Sequence, residues 1–197
     1  MLAGALCLSA LAQEEPAADS GATAAVPAKS SPRTKSDASL PVLPRKMVVT
    51  LKAVQQFFPA VTRELNTGAN PAPIGNPKAS RMVVYATNDA SKKVILSVDD
   101  YENPSEAWLA YQQALKKSDL PQFTSIAVSN VGQQVVAGTI TEGGETHTQV
   151  TTLDGALLVA GTLAGFDATT EDIGKLVELT REELSEAKAH AGNRRIF

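Results

Sequence analysis

The sequence predicts an α+β fold in which three helices pack against a mainly antiparallel sheet of about six strands. Apolar residues between positions 125 and 163 recur with a period of two, which is typical of strands. Short glycine-containing connections separate these segments, as hairpin turns require. Helical signals do not alternate with each strand, which favours an antiparallel sheet over a doubly wound parallel one. The predicted element order is αββαββββα.

A short helix and a long loop open the predicted domain. Thr50 is a suitable N-cap for a helix over residues 51–58, and Pro59 would end it. Residues 66–80 are rich in Asn, Gly and Pro, a composition that favours a loop. We therefore expect the sheet to begin after this loop.

The next two segments predict a β-hairpin. Residues 81–87 and 94–101 are rich in Val and Ile, and the polar residues 88–93 between them have turn chemistry. Because side chains alternate along a strand, we expect Ser97 and Asp99 to face solvent. The residues expected to face the core are Val94, Leu96 and Val98.

The clearest helix start in the sequence follows the hairpin. Asn103 can cap the helix, Pro104 suits its first position, and Glu106 can reach back to the cap. The helix should run from Pro104 to about Ser118, because Pro121 prevents its continuation. Its predicted buried face comprises Ala107, Trp108, Tyr111, Ala114 and Leu115.

Four strands should follow, and the last three should form an antiparallel meander. Gly143-Gly144 and Asp154-Gly155 supply two-residue turns, since glycine accepts a positive φ at low cost. The predicted strands cover residues 125–131, 134–142, 145–153 and 156–163. Within single strands, Val136, Gly138 and Ile140 should share one face, as should Leu157, Val159, Gly161 and Leu163.

A long helix closes the predicted domain. Thr169 or Thr170 would cap it, and acidic residues follow where the helix dipole favours anions. Gly174 would permit a close approach of the helix to the sheet, and the helix should fray near Gly192. The expected buried stripe comprises Ile173, Leu176, Val177, Leu184 and Ala187.

The chain divides into a signal peptide at 1–12, a disordered linker rich in Pro, Ala and Ser at 13–46, and a single α+β domain at 47–197. The signal peptide is apolar, too short to span a bilayer, and ends in a small-x-small cleavage pattern. Cys7, the only cysteine, would leave with it; lipidation of Cys7 is the alternative, although Leu6 is a poor match before a lipidated cysteine. We therefore expect an exported protein, periplasmic or secreted, without disulfides.

One stretch joins the predicted hairpin to the capped helix and reads VVYATNDASKKVILSVDDYENPSEAWLAYQQALKK (83–117). Together with the Val131-Gly132 turn, the later hairpins and the closing helix, it resembles the PsbP-like fold superfamily in the order of its elements. That family is named for an extrinsic subunit of the photosynthetic oxygen-evolving complex and includes bacterial exported lipoproteins and sensor domains. The resemblance covers most of residues 50–190 and implies an exported α+β domain that binds or supports a partner. It carries over no functional residue, because the family has no single reaction.

Charge and residue spacing argue against several functional classes. The chain has 18 Lys+Arg and 21 Asp+Glu, a formal net charge of −3, and no basic block, so nucleic acid is not an expected partner. No apolar run approaches the ~20 residues of a membrane-spanning helix. His147 and His190, the only histidines, lack metal-ligand spacing, so we expect no metal and no cofactor.

Aromatic residues on the predicted hairpin and middle helix could line a pocket between helix and sheet. These candidates for ligand binding are Tyr85, Tyr101, Trp108 and Tyr111, and the alternative is that they pack in the core. No catalytic residue is assigned, which favours an exported non-catalytic binding or accessory domain that engages a protein or cell-envelope component. The alternative is a hydrolase or transferase in which Asp99, Asp100 and His147 converge in a cleft.

Overall fold

A seven-stranded antiparallel sheet with three α-helices forms the domain in the computed structural model, which describes residues 40–142 and 144–191. The spatial strand order is β1-β2-β3-β7-β6-β5-β4. The elements are a 3₁₀ helix at Arg45–Met47, α1 at Leu51–Phe57, β1 at Arg63–Gly68, β2 at Ala79–Ala86, β3 at Lys93–Asp100, α2 at Pro104–Ser118, β4 at Phe123–Ser125, β5 at Gln134–Glu142, β6 at Glu145–Asp154, β7 at Leu157–Ala164 and α3 at Thr170–Ala191. The predicted α+β class is confirmed.

The sheet buries a core on each face. On one face α1, α3 and the 3₁₀ helix cover the larger core, which includes Leu96, Val159 and Leu176. α3 lies very close to the sheet at Gly161, where an added Cβ would lie 2.6 Å from Thr180 Oγ1. On the other face α2 covers a smaller core, whose buried members are Tyr101, Ala107, Ala110, Tyr111, Leu153 and Leu158.

The predicted helix caps are confirmed. Thr50 Oγ1 accepts a hydrogen bond from the Ala53 amide at 3.4 Å. Asn103 Oδ1 accepts from the amides of Ser105 at 3.0 Å and Glu106 at 3.1 Å, and the Asn103 side-chain amide donates back to Glu106 at 3.3 Å. Such reciprocal bonds satisfy amides that the first helical turn leaves free, which explains why α2 begins at the predicted residue.

The hairpin of β2 and β3 is also confirmed, with Tyr85 opposite Val94 and Val83 opposite Leu96. The expected core residues of β3 are fully buried. The prediction that Asp99 faces solvent is wrong, because Asp99 is only 3% exposed. The loop at Asn70 lies over its carboxylate, so a polar position of the strand pattern becomes buried by a segment distant in sequence.

The sequence prediction missed β1: it assigned the end of this strand, residues 66–68, to the loop at 66–80 and gave residues 63–65 no element. β1 pairs antiparallel with β2, and its register shifts between Glu64 and Asn66. Most of its side chains are exposed. An edge strand with no buried face shows no apolar alternation, so the pattern that marks the other strands is absent here.

Most strand boundaries lie within two residues of the predictions, but β4 and the last turn differ in ways that matter for packing. β4 covers only Phe123–Ser125 instead of 125–131, and its Phe123 ring occupies the space that a Cβ on Gly138 would need. Asp154 pairs with Leu157, so the last turn is Gly155-Ala156, one residue later than predicted. Gly155 has a φ of 61°, as a tight hairpin turn requires.

The two longer helices differ from their predicted faces at several positions. Thr169 caps α3 by accepting from the Asp172 amide at 3.1 Å. Ile173 and Val177 are only half-buried, and Gly174 has open space around it, so the expected close approach at Gly174 is wrong. Trp108 on α2 is 43% exposed rather than buried.

Several predictions fall on residues outside the described ranges. They are the signal peptide at 1–12 with Cys7, residues 13–39 of the linker, Gly143 of the first tight turn, and the fraying at Gly192. The folded part begins before Met47, because Leu43 is already fully buried. Of the helices in the described ranges, none is both long enough and apolar enough to cross a bilayer.

Candidate functional site

Three of the four candidate ligand-binding residues lie on the α2 face of the sheet. Tyr101 is buried, and its hydroxyl donates a hydrogen bond to the Ile74 carbonyl oxygen. Tyr111 is buried on α2, and its ring stacks against that of Trp108 with centroids 5.8 Å apart. Burial raises the pKa of the Tyr101 and Tyr111 hydroxyls, which keeps both neutral. Trp108, which is 43% exposed, therefore stacks on a buried neighbour.

A groove of about 320 Å³ runs between α2 and the loop that precedes β2. Leu109 lines it and is 62% exposed. Gly75 brings the loop close to α2, since it has a φ of +68° and an added Cβ would lie 3.5 Å from Ala110 Cβ. The other lining residues are Asn76, Tyr101, Glu106 and Gln113. The groove thus combines an exposed apolar side chain with polar groups.

A charged cleft of about 470 Å³ lies where β3 and β6 end. Asp100 and Asp154 pair with Leu157 from its two sides, which places their Cα atoms roughly 10 Å apart. Lys78 Nζ lies 3.2 Å from Asp100 Oδ1, and Lys188 Nζ lies 2.9 Å from Asp154 Oδ2. Both lysines are about half exposed, so these ion pairs can exchange one partner for a charged group of another molecule.

The connection from β3 to α2 borders both features. Tyr101 and Glu106 line the groove, whereas Glu102, Asn103 and Pro104 line the charged cleft. We call the groove and the cleft together the junction surface. It joins an apolar and aromatic area to an area of alternating charge, the composition of a protein-binding patch.

A third cavity under α2 is too small for a ligand. It offers about 30 Å³ between Ala114, Phe123 and Val136. That space is close to the volume of a single water molecule. The α2 face therefore offers its surface, and not its interior, for binding.

Asp99 is the most perturbed carboxylate on the sheet. Burial raises its pKa to about 6, although the Asn70 side-chain amide, 3.4 Å from each carboxylate oxygen, and the Ile74 backbone amide favour the charged form. Neither the groove nor the charged cleft includes Asp99 among its lining residues. Asp99 therefore holds residues 70–74 on the sheet, and Gly75 and Asn76, which follow directly, line the groove.

Tyr85, the fourth candidate, lies on the opposite face, in the larger core. Its hydroxyl donates to the Val49 carbonyl oxygen at 2.5 Å and accepts from Arg45 at 2.7 Å. Burial raises its pKa to about 12. The structure thus brings Tyr101, Trp108 and Tyr111 together and separates Tyr85 from them; ligand binding by any of the four stays a prediction.

Glu183 on α3 is a buried acid that the sequence analysis did not single out. It is fully buried; Oε2 accepts from the Val49 amide at 2.8 Å, and Oε1 has no hydrogen-bond partner among the described residues. Burial raises its pKa to about 8. A signal was present in the sequence, because Glu183 lies four residues before Ala187 and three after Thr180, on the apolar stripe of the helix.

The residues named for the enzyme alternative do not converge. His147 pairs with Ala164 of β7, whereas Asp99 pairs with Leu158 of the same strand. Six residues along a strand correspond to roughly 20 Å. Across residues 40–142 and 144–191, no group of three or more His, Cys, Asp or Glu side chains is arranged to hold a metal ion.

Comparisons with known proteins inform the fold. No family model matches the sequence, and a search of curated proteins found no match. Among solved structures, the chain is similar to the extracellular domain of PknH from Mycobacterium tuberculosis, with a TM-score of 0.50 and 10% sequence identity over 71% of this chain and 93% of that chain. At this identity the likeness concerns the fold alone, and it supports an α+β architecture that is known from an extracellular domain.

Proposed function

We propose that this protein is an exported, non-catalytic binding domain that engages a protein partner of the cell envelope through the junction surface. The observation that carries the proposal is the exposure of Leu109 in the groove, with Trp108 also exposed on the same helix, together with the two ion pairs of Lys78 and Lys188 in the cleft. Aromatic and apolar anchors surrounded by exchangeable charges are the usual composition of protein–protein contacts. A polypeptide could occupy groove and cleft together, whereas a small ligand would fill only one.

Export is part of the same proposal. Its support is the apolar signal-like stretch at 2–12, together with the fold similarity to a domain that is extracellular in PknH. We extend the proposal to membership of the PsbP-like superfamily, which rests on the element order αβββαββββα around the capped helix α2. A periplasmic or secreted location follows from export.

A site-specific photo-cross-linker tests the binding surface. We would replace Leu109 with a benzophenone amino acid in the full chain, expressed in its native host and irradiated in intact cells. Leu65 on β1 is the matched control, because it is 42% exposed and apolar but lies on the far edge strand. We expect a discrete adduct with one protein from position 109 and none from position 65.

The charged cleft provides the second arm of this test. Lys188→Glu would place a third acid beside Asp154 and Asp100 and should reduce the adduct at position 109 if one partner spans both features. Equal cross-linking from positions 109 and 65, or an adduct that is indifferent to Lys188→Glu, would contradict the proposal.

A further inference from the structure

We propose that Glu183 is a proton-sensitive latch that sets how firmly the segment 43–50, here called the N-terminal strap, is held against α3. The strap leads into the domain and contains the 3₁₀ helix. The proposal does not depend on the function of the junction surface, because neither the groove nor the charged cleft includes Glu183 or a strap residue among its lining residues. It rests on four observations of geometry.

The first observation is that Val49 joins the end of the strap to α3 and β2, whereas Leu43 at the start of the strap is hydrogen-bonded to Ser80 of β2. The Val49 amide donates to Glu183 Oε2 at 2.8 Å, and the Val49 carbonyl oxygen accepts from Tyr85 at 2.5 Å and from Arg45 at 3.1 Å. Arg45 also donates to the Val48 carbonyl oxygen at 2.9 Å. The carboxyl of Glu183 is therefore a direct hydrogen-bond link from α3 to the strap.

The second observation is that this link is only half satisfied. Glu183 is fully buried, and its Oε1 lacks a hydrogen-bond partner among the described residues. A buried carboxyl in this state is tolerated when it is neutral, but an ionised one strongly favours any conformation that brings water to it. Ionisation thus favours opening of whatever covers Glu183.

The third observation concerns the charges that face Glu183. Arg45 of the strap favours the ionised form, but Arg45 is already bound to Glu64 of β1 at 2.9 Å and to Tyr85 of β2. Glu182 and Glu186 of α3 oppose ionisation. The positive charge beside Glu183 is therefore shared, whereas the negative charges on its own helix add to the cost of burial.

The fourth observation shows which element can move. A cleft of about 570 Å³ already separates part of the strap from α3, and Arg45, Lys46, Val49, Glu182, Glu186 and His190 are among its lining residues. Lifting residues 45–50 would extend this cleft toward Glu183, whose helix neighbours Glu182 and Glu186 already line it, while Leu43 keeps its hydrogen bond to Ser80 of β2. Because residues 45–50 precede the first strand of the sheet, they can open as a local unit, which exposes Met47, Val48 and Val49 to water.

Hydrogen exchange measured by mass spectrometry on the full chain tests the latch. Protection of the peptides that cover the strap, corrected for the intrinsic rate, should fall by about tenfold or more between about pH 6 and pH 9 in the wild type. Glu183→Gln keeps an oxygen that can accept from the Val49 amide but cannot ionise, so its strap should be equally protected at both pH values. Glu182→Gln removes a neighbouring charge but leaves the Glu183 carboxyl, so its strap should still lose protection at the higher pH, with a midpoint slightly below that of the wild type.

Two further measurements distinguish local opening of the strap from a general loss of structure. Peptides of α2 should keep their protection at the higher pH; their parallel loss would indicate global unfolding and would overturn the proposal. The carboxyl carbon of Glu183, followed by NMR in the wild-type chain, should titrate well above the ordinary range of a glutamate. A titration midpoint of about 4.5 for Glu183 would also overturn the proposal. The same holds if protection of the strap rises with pH because Arg45 turns to Glu183.

Discussion

The two faces of the sheet differ in how much apolar surface their helices bury. The α3 face holds the larger core, and it encloses Glu183 in complete burial. The α2 face has a small core and leaves Trp108 and Leu109 exposed. The contrast indicates that the α3 face is responsible for most of the stability, whereas the α2 face has apolar surface left over for binding.

The largest expected effect comes from opening a cavity on the α3 face. Leu179→Ala removes a fully buried side chain and should reduce the free energy of unfolding by about 2–5 kcal/mol. Leu109→Ala, the same substitution on the exposed side of α2, should change it by less than ~0.5 kcal/mol. Urea denaturation of both variants measures the difference, and similar losses would contradict the division of roles between the faces.

The next effect concerns the pH dependence of stability. Glutamate has an ordinary pKa of 4.5, and Glu183 has a pKa of about 8 in the folded protein. The folded state therefore binds this proton more tightly, so the contribution of Glu183 to stability is fully present below pH 4.5 and is lost as the pH rises to about 8. Glu183→Gln should remove this fall, which thermal melts at several pH values would reveal. An unchanged slope would show that other groups cause it.

Asp99 should give the same sign over a narrower range. Its pKa rises from 3.8 to about 6, so its contribution to stability should be lost between these values as the pH increases. Asp99→Asn should flatten that part of the profile by less than Glu183→Gln does, because Asn70 and the Ile74 amide already donate to Asp99. Measuring the stability of both variants above and below pH 6 separates the contribution of Asp99 on one face from that of Glu183 on the other. Equal changes in stability would contradict the role of the Asn70 and Ile74 donors.

The smallest expected effect is at the helix caps. Asn103→Ala removes the acceptor for two amides of α2 and should cost about 1 kcal/mol. Thr50→Ala in the short helix α1 should cost less, since its single bond is long at 3.4 Å. Chemical denaturation compares the two, and a larger loss at Thr50 would show that α1 depends on its cap more than the geometry indicates.

The sequence predicted the elements with strong local signals. Asn103, Pro104 and Glu106 located the start of α2, and the apolar alternation of residues 94–98 located β3. β1 was missed because an exposed edge strand has no buried side to create a pattern. The junction surface could be predicted only in part: Tyr101, Trp108 and Tyr111 were identified as candidates, but Lys78, Asp154 and Lys188 come from segments far apart in the chain.

The sequence by itself determined the α+β class, the helix caps and most strands, because these depend on neighbours within a few residues. The tertiary structure decided the strand order β3-β7-β6, the burial of Asp99 under Asn70 and the burial of Glu183 against Val49. Whether a polar side chain is buried depends on what packs over it. For Glu183 that covering residue is 134 positions away in the sequence, beyond the reach of any local pattern.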